Sequence, residues 1–328
     1  MSAARRWSAE FEELSAGWGT RVALDGAALL TERSERSGAV ARGQLSAGGA
    51  CRLLPCADGW IAASLPRESD LELIAPLLEG PADDPWTALG EWCGGQFAAA
   101  VVERARLLGL AVSAVGEGAP PLRMPASVSR QEPVRQPLVV DFSAMWAGPL
   151  CARLLRLAGA RVVKVESRDR PDGARLGDPG FYELLNEGHE SLVVDPATDR
   201  ELLAELVGSA DIVIEASRPR ALAGWGLVAS DAARAGTVWL SITAYGRSQG
   251  DRIGFGDDVA AGAGLVDTIA GMPAFVCDAV ADPLTGLAAA VAVLRAWGSG
   301  QVIDLAMASA AASALPGATS IKYQLLTS

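Results

Sequence analysis

Few residues in this chain can carry chemistry. His189 is the single histidine, so a Ser-His-Asp hydrolase would have to use it as its base, and no G-x-S-x-G elbow accompanies it. It sits in Asn186-Glu-Gly-His-Glu190, a polar turn ahead of a strand, and reads as an exposed loop histidine. Cys51, Cys56, Cys93, Cys151 and Cys277 are scattered and form no C-x-x-C pair. Neither a metal site nor a disulfide framework is indicated, and reduced thiols are expected. What remains is carboxylate and arginine chemistry. Asp282-Pro283 heads the apolar run LTGLAAAVAVL, which reads as an aspartate N-cap followed by proline at the first helical position. The positive end of that helix would favour the ionised carboxylate. Asp257 and Asp258 stand together behind Gly256, where a solvated turn explains them as well as a role in a site does.

The cations are almost all arginine, since Lys164 and Lys322 are the only lysines among 28 basic residues. Arginine suits bidentate contacts to phosphate, although with the heavy alanine content it also fits a biased genome. The net charge of -11 argues against a nucleic-acid binder, which needs a basic face. The start MSAARRWSAEFEEL lacks a signal-peptide apolar stretch, and the apolar run from Gly286 to Leu294 is broken by Arg295 well short of a bilayer span. A soluble, cytoplasmic protein with no membrane partner is expected.

The elements that must position these residues divide into two unlike halves. Residues 117–137 hold five prolines and little apolar periodicity, and 117–136 read as an extended linker. Upstream, in 1–116, CRLLPCADGWIAASLP alternates like a hairpin around Asp58-Gly59, with helical patterns near Asp70–Leu78 and Gln96–Leu108. That is a small α+β domain. Downstream, in 137–328, short apolar strands start at LVVDF (138), RVVKVE (161), SLVVD (191), DIVIEA (211) and TVWLSIT (237), with helices between them. This alternation predicts an α/β, doubly wound, mostly parallel sheet of Rossmann-like kind. Helix starts are signalled by Gly148-Pro149 and by Thr198-Asp-Arg-Glu201, a capping-box pattern. Ligands in such sheets collect at the carboxyl ends of the strands.

A nicotinamide dinucleotide is the first ligand to test. After LVVDF the turn reads Ser143-Ala-Met-Trp-Ala-Gly148-Pro149, without the three spaced glycines that let backbone approach a pyrophosphate. An NAD(P) oxidoreductase is disfavoured.

Several segments together resemble the family III CoA-transferases, the group of formyl-CoA and carnitine CoA-transferases and α-methylacyl-CoA racemase. They are VVDFSAMWAGPLCARLLRLAGARVVKVE, the turn at Asn186 with SLVVD, DIVIEASRPRALAGWGL, SITAYG, ADPLTGLAAAVAVLRAW and GQVIDLAM. The upstream half resembles the family's smaller domain in CRLLPCADGWIAASLPRESD and ERARLLGLAV. In the family's usual order that domain follows the large one, so the resemblance implies a circularly permuted chain, which is plausible where termini lie close together.

The resemblance implies more. The family's nucleophilic aspartate falls on Asp282, implying attack on an acyl-CoA thioester, a mixed anhydride, an aspartyl-CoA thioester, and transfer of CoA to a carboxylic acid acceptor. Coenzyme A enters as substrate, and no covalently bound cofactor is implied. The implied CoA site lies at strand ends: Ala144, Met145, Trp146 and Ala147 in the first turn, Ser167, Arg168 and Arg175 after the second strand, and Ala216, Ser217, Arg218 and Arg220 after the fourth, with phosphates served by arginines or helix N-termini. Arg170 lies in the same loop as Arg168. Trp146 would stack on adenine or fill the core. Asp257 and Asp258 are acyl-pocket candidates. They occupy Gly256-Asp-Asp-Val259 where the racemase branch carries Gly-His-Asp, and the missing histidine disfavours racemase chemistry. Relatives form interlocked dimers, which implies a homodimer here. The alternative of a different class is a CoA-binding or scaffold homologue without transferase activity, for which a nucleophile at Asp282 has no use.

Overall fold

The computed structural model describes residues 2–128, 135–217 and 219–316. Its strands are β1 (Cys51–Cys56), β2 (Gly59–Ser64), β3 (Ala111–Ala114), β4 (Leu138–Asp141), β5 (Arg161–Ser167), β6 (Glu190–Val194), β7 (Ile212–Glu215), β8 (Val238–Thr243), β9 (Val266–Ile269), β10 (Met272–Phe275) and β11 (Val302–Ala306). They form a six-stranded sheet ordered β11-β8-β7-β4-β5-β6, a three-stranded sheet β1-β2-β3 and the β9/β10 hairpin. Every pairing in the large sheet is parallel, and every pairing in the other two is antiparallel. The chain lays down β4, β5 and β6 outward in one direction, then returns to β7 on the other side of β4. That reversal places a topological switch point between β4 and β7, where doubly wound sheets leave a crevice. The α/β, doubly wound, parallel reading is therefore correct, with the edge strand β11 added to the five strands expected.

The inner strands β4, β5, β7 and β8 of this sheet read as largely apolar runs because both faces are covered. Val139, Val140, Ile212, Val213, Ile214, Trp239 and Leu240 are all buried. The helix Ala147–Leu157 turns Leu150, Cys151, Leu154 and Leu155 inward at helical spacing, and each buried leucine contributes roughly 1.5–3 kcal/mol. Two glycines permit close approach here. A Cβ on Gly148 would fall 2.1 Å from Ser143 Oγ, and one on Gly286 would fall 2.7 Å from the Ala147 carbonyl. The helix Arg200–Ser209 has Asp199, not Thr198, at its cap, so the expected capping box does not form; Asp199 instead accepts from the Asp195 N–H at 2.8 Å.

Contacts divide the described residues into two compact units, each discontinuous in sequence. One comprises Met1–Leu29, Arg123–Arg247 and Pro283–Ala306; the other comprises Leu30–Leu122, Ser248–Asp282 and the residues from Met307 on. This differs from a contiguous division into 1–116 and 137–328. The reason for the first exchange is the helix Ser2–Ser15, which buries Ala3, Ala4, Trp7, Phe11 and Leu14 and gives Glu10 to Arg295 in an ion pair of its own unit. The reason for the second is the helix Gly256–Ala263, buried along nearly its whole length, with Ala261 and Phe275 packing on Cys51, Leu53 and Ala62 of the small sheet. Residues 117–128 of the expected linker carry no helix or strand, and 129–134 lie outside the described residues.

Candidate active site

The carboxylates singled out in sequence gather in the unit that holds β1–β3. Asp282 is the second residue of the helix Ala281–Arg295, and its N–H donates to the Ala279 carbonyl at 2.8 Å. It therefore occupies the first turn rather than the cap, and the positive helix end still favours its ionised form. Its carboxylate lies hard against the start of a second helix, Gly256–Ala263, because a Cβ on Gly256 would stand 2.1 Å from Asp282 Oδ2. Only a glycine leaves that space.

The turn leading into Asp282 is strained. Cys277 has φ 57° and Ala279 φ 43°, left-handed values that side chains other than glycine resist at a cost of about 1–3 kcal/mol each. Three contacts hold it. Asp257 Oδ1 accepts from the Ala279 N–H at 2.9 Å, the Asp282 N–H donates to the Ala279 carbonyl, and Arg33 forks onto Asp278, with Nε 2.7 Å from Oδ2 and Nη2 on Oδ1. Asp278 is 1% exposed, so its charge depends on that guanidinium. Burial disfavours the charge on Arg33 as well, yet Asp278, with Asp282 and Asp257 behind it, holds its pKa above the ordinary value.

Asp257 and Asp258 are not a solvated turn. Asp258 is fully buried; its carboxylate accepts from the Phe255 N–H at 2.8 Å and from Ser113 Oγ at 3.5 Å. Burial raises its pKa to about 7, with Asp257 adding to the rise. Burial and the neighbouring Asp278 raise Asp257 to about 6. The Cys51 thiol beside them is pushed well up by burial and then by both carboxylates. Carboxylates whose pKa values are moved toward neutrality by burial and by one another make this cluster a candidate functional site.

The expected CoA residues gather in the other unit, at the carboxyl ends of adjacent strands β5, β4 and β7. Ala144 and Met145 are exposed in the first turn, with Met145 held at φ 72°. Trp146 is 2% exposed and meets Phe181 edge-on at 5.1 Å, so it fills the core instead of offering a stacking face; Ala147 is buried beside it. Arg168 is exposed beside the half-buried Ser167, and Arg170 is exposed in the same loop. Arg175 is engaged by its own chain: it forks onto Glu166 at 2.7 and 3.1 Å and lies over the Tyr182 ring at 4.3 Å. Burial opposes the charge on Glu166, but Arg175, the Asp172 N–H and Tyr182 hold its pKa down to about 2. Ala216 and Arg220 are exposed, and the Ser217 hydroxyl is buried with no hydrogen-bond partner among the described residues. Arg218 lies outside the described residues.

What fastens this turn is Lys164, which the apolar strand pattern passes over. It is 1% exposed, pairs with Asp172 at 3.0 Å and Asp141 at 3.5 Å, and donates to the Ser143 carbonyl. Asp172 in turn accepts from the N–H groups of Met145 and Ala174, each at 2.9 Å. Burial works against the ammonium, but Asp141 and Asp172 outweigh it and raise the pKa. A lysine inside RVVKVE, flanked by valines, was the available signal. Arg33 and Asp278 had none, standing 245 residues apart. His189 is corrected too: both ring nitrogens are buried with no hydrogen-bond partner among the described residues, and burial, then Lys164 and Arg156, lowers its pKa to about 4.

Comparison with known proteins bears on the family. The family described as CoA-transferase family III matches residues 135–327, more than half of the chain. The chain is 30% identical over 205 residues to a succinyl-CoA–D-citramalate CoA-transferase of Chloroflexus aurantiacus, covering 54% of this chain and 50% of that protein. It is 29% identical over 207 residues to a succinate–glutarate CoA-transferase of Agrobacterium fabrum, covering 55% and 52%. The crystal structure of a CAIB/BAIF family protein from Brucella suis superposes with a TM-score of 0.52 at 27% identity, covering 60% of this chain and 58% of that one. The chain thus spans about half the length of the curated relatives it matches. With the parallel sheet, its switch point and the matched region in agreement, the chain belongs to the family III CoA-transferases.

Proposed function

We propose that the protein moves CoA from an acyl-CoA to a carboxylic acid, with Asp282 as the nucleophile. The observation that carries this reading is the setting of Asp282: a carboxylate in the first turn of one helix, pressed on the glycine start of another, at the end of a strained turn pinned by buried charge. In the reaction, an Asp282 oxygen attacks the thioester carbonyl and expels CoA thiolate, leaving an acyl-aspartyl anhydride. The thiolate then attacks the aspartyl carbonyl, releasing the donor acid and leaving an aspartyl-CoA thioester. An acceptor carboxylate reverses the two steps and departs as its CoA ester. Each displacement is easier than direct exchange, and no redox partner or metal is required.

The strand-end residues Ala144, Met145, Ser167, Arg168, Ala216, Ser217 and Arg220 are proposed to receive CoA, with Arg168 and Arg220 as phosphate contacts, while the Arg175 fork engages Glu166. Asp257 and Asp258 are proposed to bound the acyl pocket. The same reading makes the chain order a permutation, supported by the family match beginning at residue 135 while the small three-stranded sheet precedes it, and makes a homodimer the expected assembly.

The test is incubation with succinyl-CoA, acetyl-CoA and a medium-chain acyl-CoA, with dicarboxylate acceptors included because relatives named above use them, followed by hydroxylamine or borohydride trapping and peptide mapping. An adduct on Asp282 that vanishes in Asp282→Asn, with turnover falling by several orders of magnitude, supports the reading. Turnover unaffected by that substitution sinks it and leaves a CoA-binding protein without transferase chemistry.

A further inference from the structure

We propose that Arg33 is a positioning residue for Asp282, acting through Asp278 to hold the left-handed turn that presents the nucleophile; this rests on the reading of Asp282 given above. The turn Cys277–Val280 has two non-glycine residues at positive φ within three positions, a conformation that persists only where the surroundings over-determine it. Asp278 lies between those two residues, and its buried carboxylate is gripped at both oxygens by the Arg33 fork. A two-point grip fixes orientation as well as distance, which a lysine ammonium cannot do. The Ala279 N–H on Asp257 and the Ala279 carbonyl under the Asp282 N–H complete the clamp. Arg33 thus reaches from the short helix Glu32–Ser37 to the turn preceding the reacting group, and its charge also bears on Asp282 and Asp257. The titratable groups gathered there are Asp257 and Asp258 from the helix Gly256–Ala263, Asp278 and the Cys277 thiol from the turn, Asp282 itself, and the Cys51 thiol from β1.

The experiment measures the single-turnover rate of adduct formation on Asp282, with the acyl-CoA panel above, across pH, in the unsubstituted protein and in Arg33→Met, Arg33→Lys, Asp278→Asn and the Arg33→Met/Asp278→Asn double variant. Losing the clamp should slow adduct formation about 10²-fold, as a displacement near 1 Å does, with KM for acyl-CoA unchanged. The acid limb of the rate profile should move to higher pH in Arg33→Met, where the cation is gone, and to lower pH in Asp278→Asn, where it is freed from its anion. A merely structural loss would not split the two limbs in opposite directions. The double variant should be no slower than the slower single one. Arg33→Lys keeps charge without the fork, so its acid limb should stay in place while the rate falls about tenfold.

A wild-type rate in Arg33→Met, or losses that multiply in the double variant, overturns the inference while leaving Asp282 as nucleophile. Should Arg33→Met fail to fold, Arg33→Lys decides, and a wild-type rate there overturns it equally. Failure to label Asp282 in the unsubstituted protein overturns the nucleophile reading first.

Discussion

Gly256 and Asp282 are in contact so close that a single methyl group on the glycine would occupy the carboxylate's place, 2.1 Å from Oδ2 and 2.5 Å from the Ala279 carbonyl. The Ala279 backbone on one side is fixed, so the methyl must push aside the candidate nucleophile on the other. Gly256→Ala should therefore cost about 1–3 kcal/mol of stability through overpacking and lower the transfer rate by about 10²-fold through displacement of Asp282. The contrasting substitution is Gly208→Ala in the helix Arg200–Ser209, where a Cβ meets nothing within 4 Å and helix propensity predicts a gain of about 0.5–1 kcal/mol with activity unchanged. Thermal melts and steady-state rates on the two variants check both, and equal behaviour would show that the Gly256 contact carries neither effect.

Lys164 supplies the second prediction. Its ammonium stands between two buried carboxylates, Asp141 and Asp172. Lys164→Met fills much the same volume but leaves two uncompensated anions, and breaking a buried pair on one side costs about 3–5 kcal/mol. The urea midpoint should drop accordingly. Pairing Lys164→Met with Asp172→Asn should recover part of the loss, since one of the stranded charges is then removed. A midpoint unmoved in Lys164→Met would mean that the two carboxylates are neutralised by other means.

The sheet was legible because β4, β5, β7 and β8 are buried on both faces and so appear as runs of valine, isoleucine and leucine between turn residues. The hairpin β9/β10 was not, because its first strand is largely exposed and lacks that apolar run. The candidate nucleophile was visible only through resemblance: an aspartate before proline at a helix start is common, and the distinction between capping and presenting lies in Gly256, Ala279 and Arg33, none of them near it in sequence except Ala279. Asp257 and Asp258 read as polar, hence exposed, because one-dimensional pattern does not reveal that the helix they open is buried against Cys51 and Ser113. The helix Ser2–Ser15 did carry a signal in Trp7, Phe11 and Leu14 at helical spacing, but which core it joins depends on Glu10 meeting Arg295, a long-range pairing.

Asp258 makes stability depend on pH in an unusual direction. Its folded pKa, about 7, lies above the ordinary 3.8 because burial penalises the charged form, and Asp257 at about 6 behaves alike. A carboxyl whose folded pKa is raised contributes stability that is fully present below the unfolded value and is lost as pH rises through the folded one. The protein should thus lose on the order of a few kcal/mol between about pH 4 and about pH 8 from this pair. Asp258→Asn keeps the shape without the ionisation and should flatten much of that slope. Urea midpoints across this window decide it, and a slope unchanged in Asp258→Asn would assign the dependence elsewhere.

Glu166 works in the opposite sense and gives the last prediction. Its carboxylate is held ionised by the Arg175 fork, the Asp172 N–H at 2.7 Å and the Tyr182 hydroxyl at 3.1 Å, bringing its pKa from 4.5 to about 2. A depressed carboxylate contributes stability that is present above its unfolded pKa and is lost as pH falls through the folded one, so this contribution should be full at neutral pH and fade between about 4.5 and about 2. Arg175→Gln removes the leading contact. Because the Arg175 side chain is 43% exposed, solvent screens the pair and the loss at neutral pH should be about 1 kcal/mol. The difference between variant and parent should then shrink as pH falls toward 2, because protonation dismantles in the parent what the substitution has already removed. Guanidinium midpoints at neutral and acid pH measure this, and a difference that persists undiminished in acid would mean Arg175 stabilises by packing on Tyr182 rather than by charge.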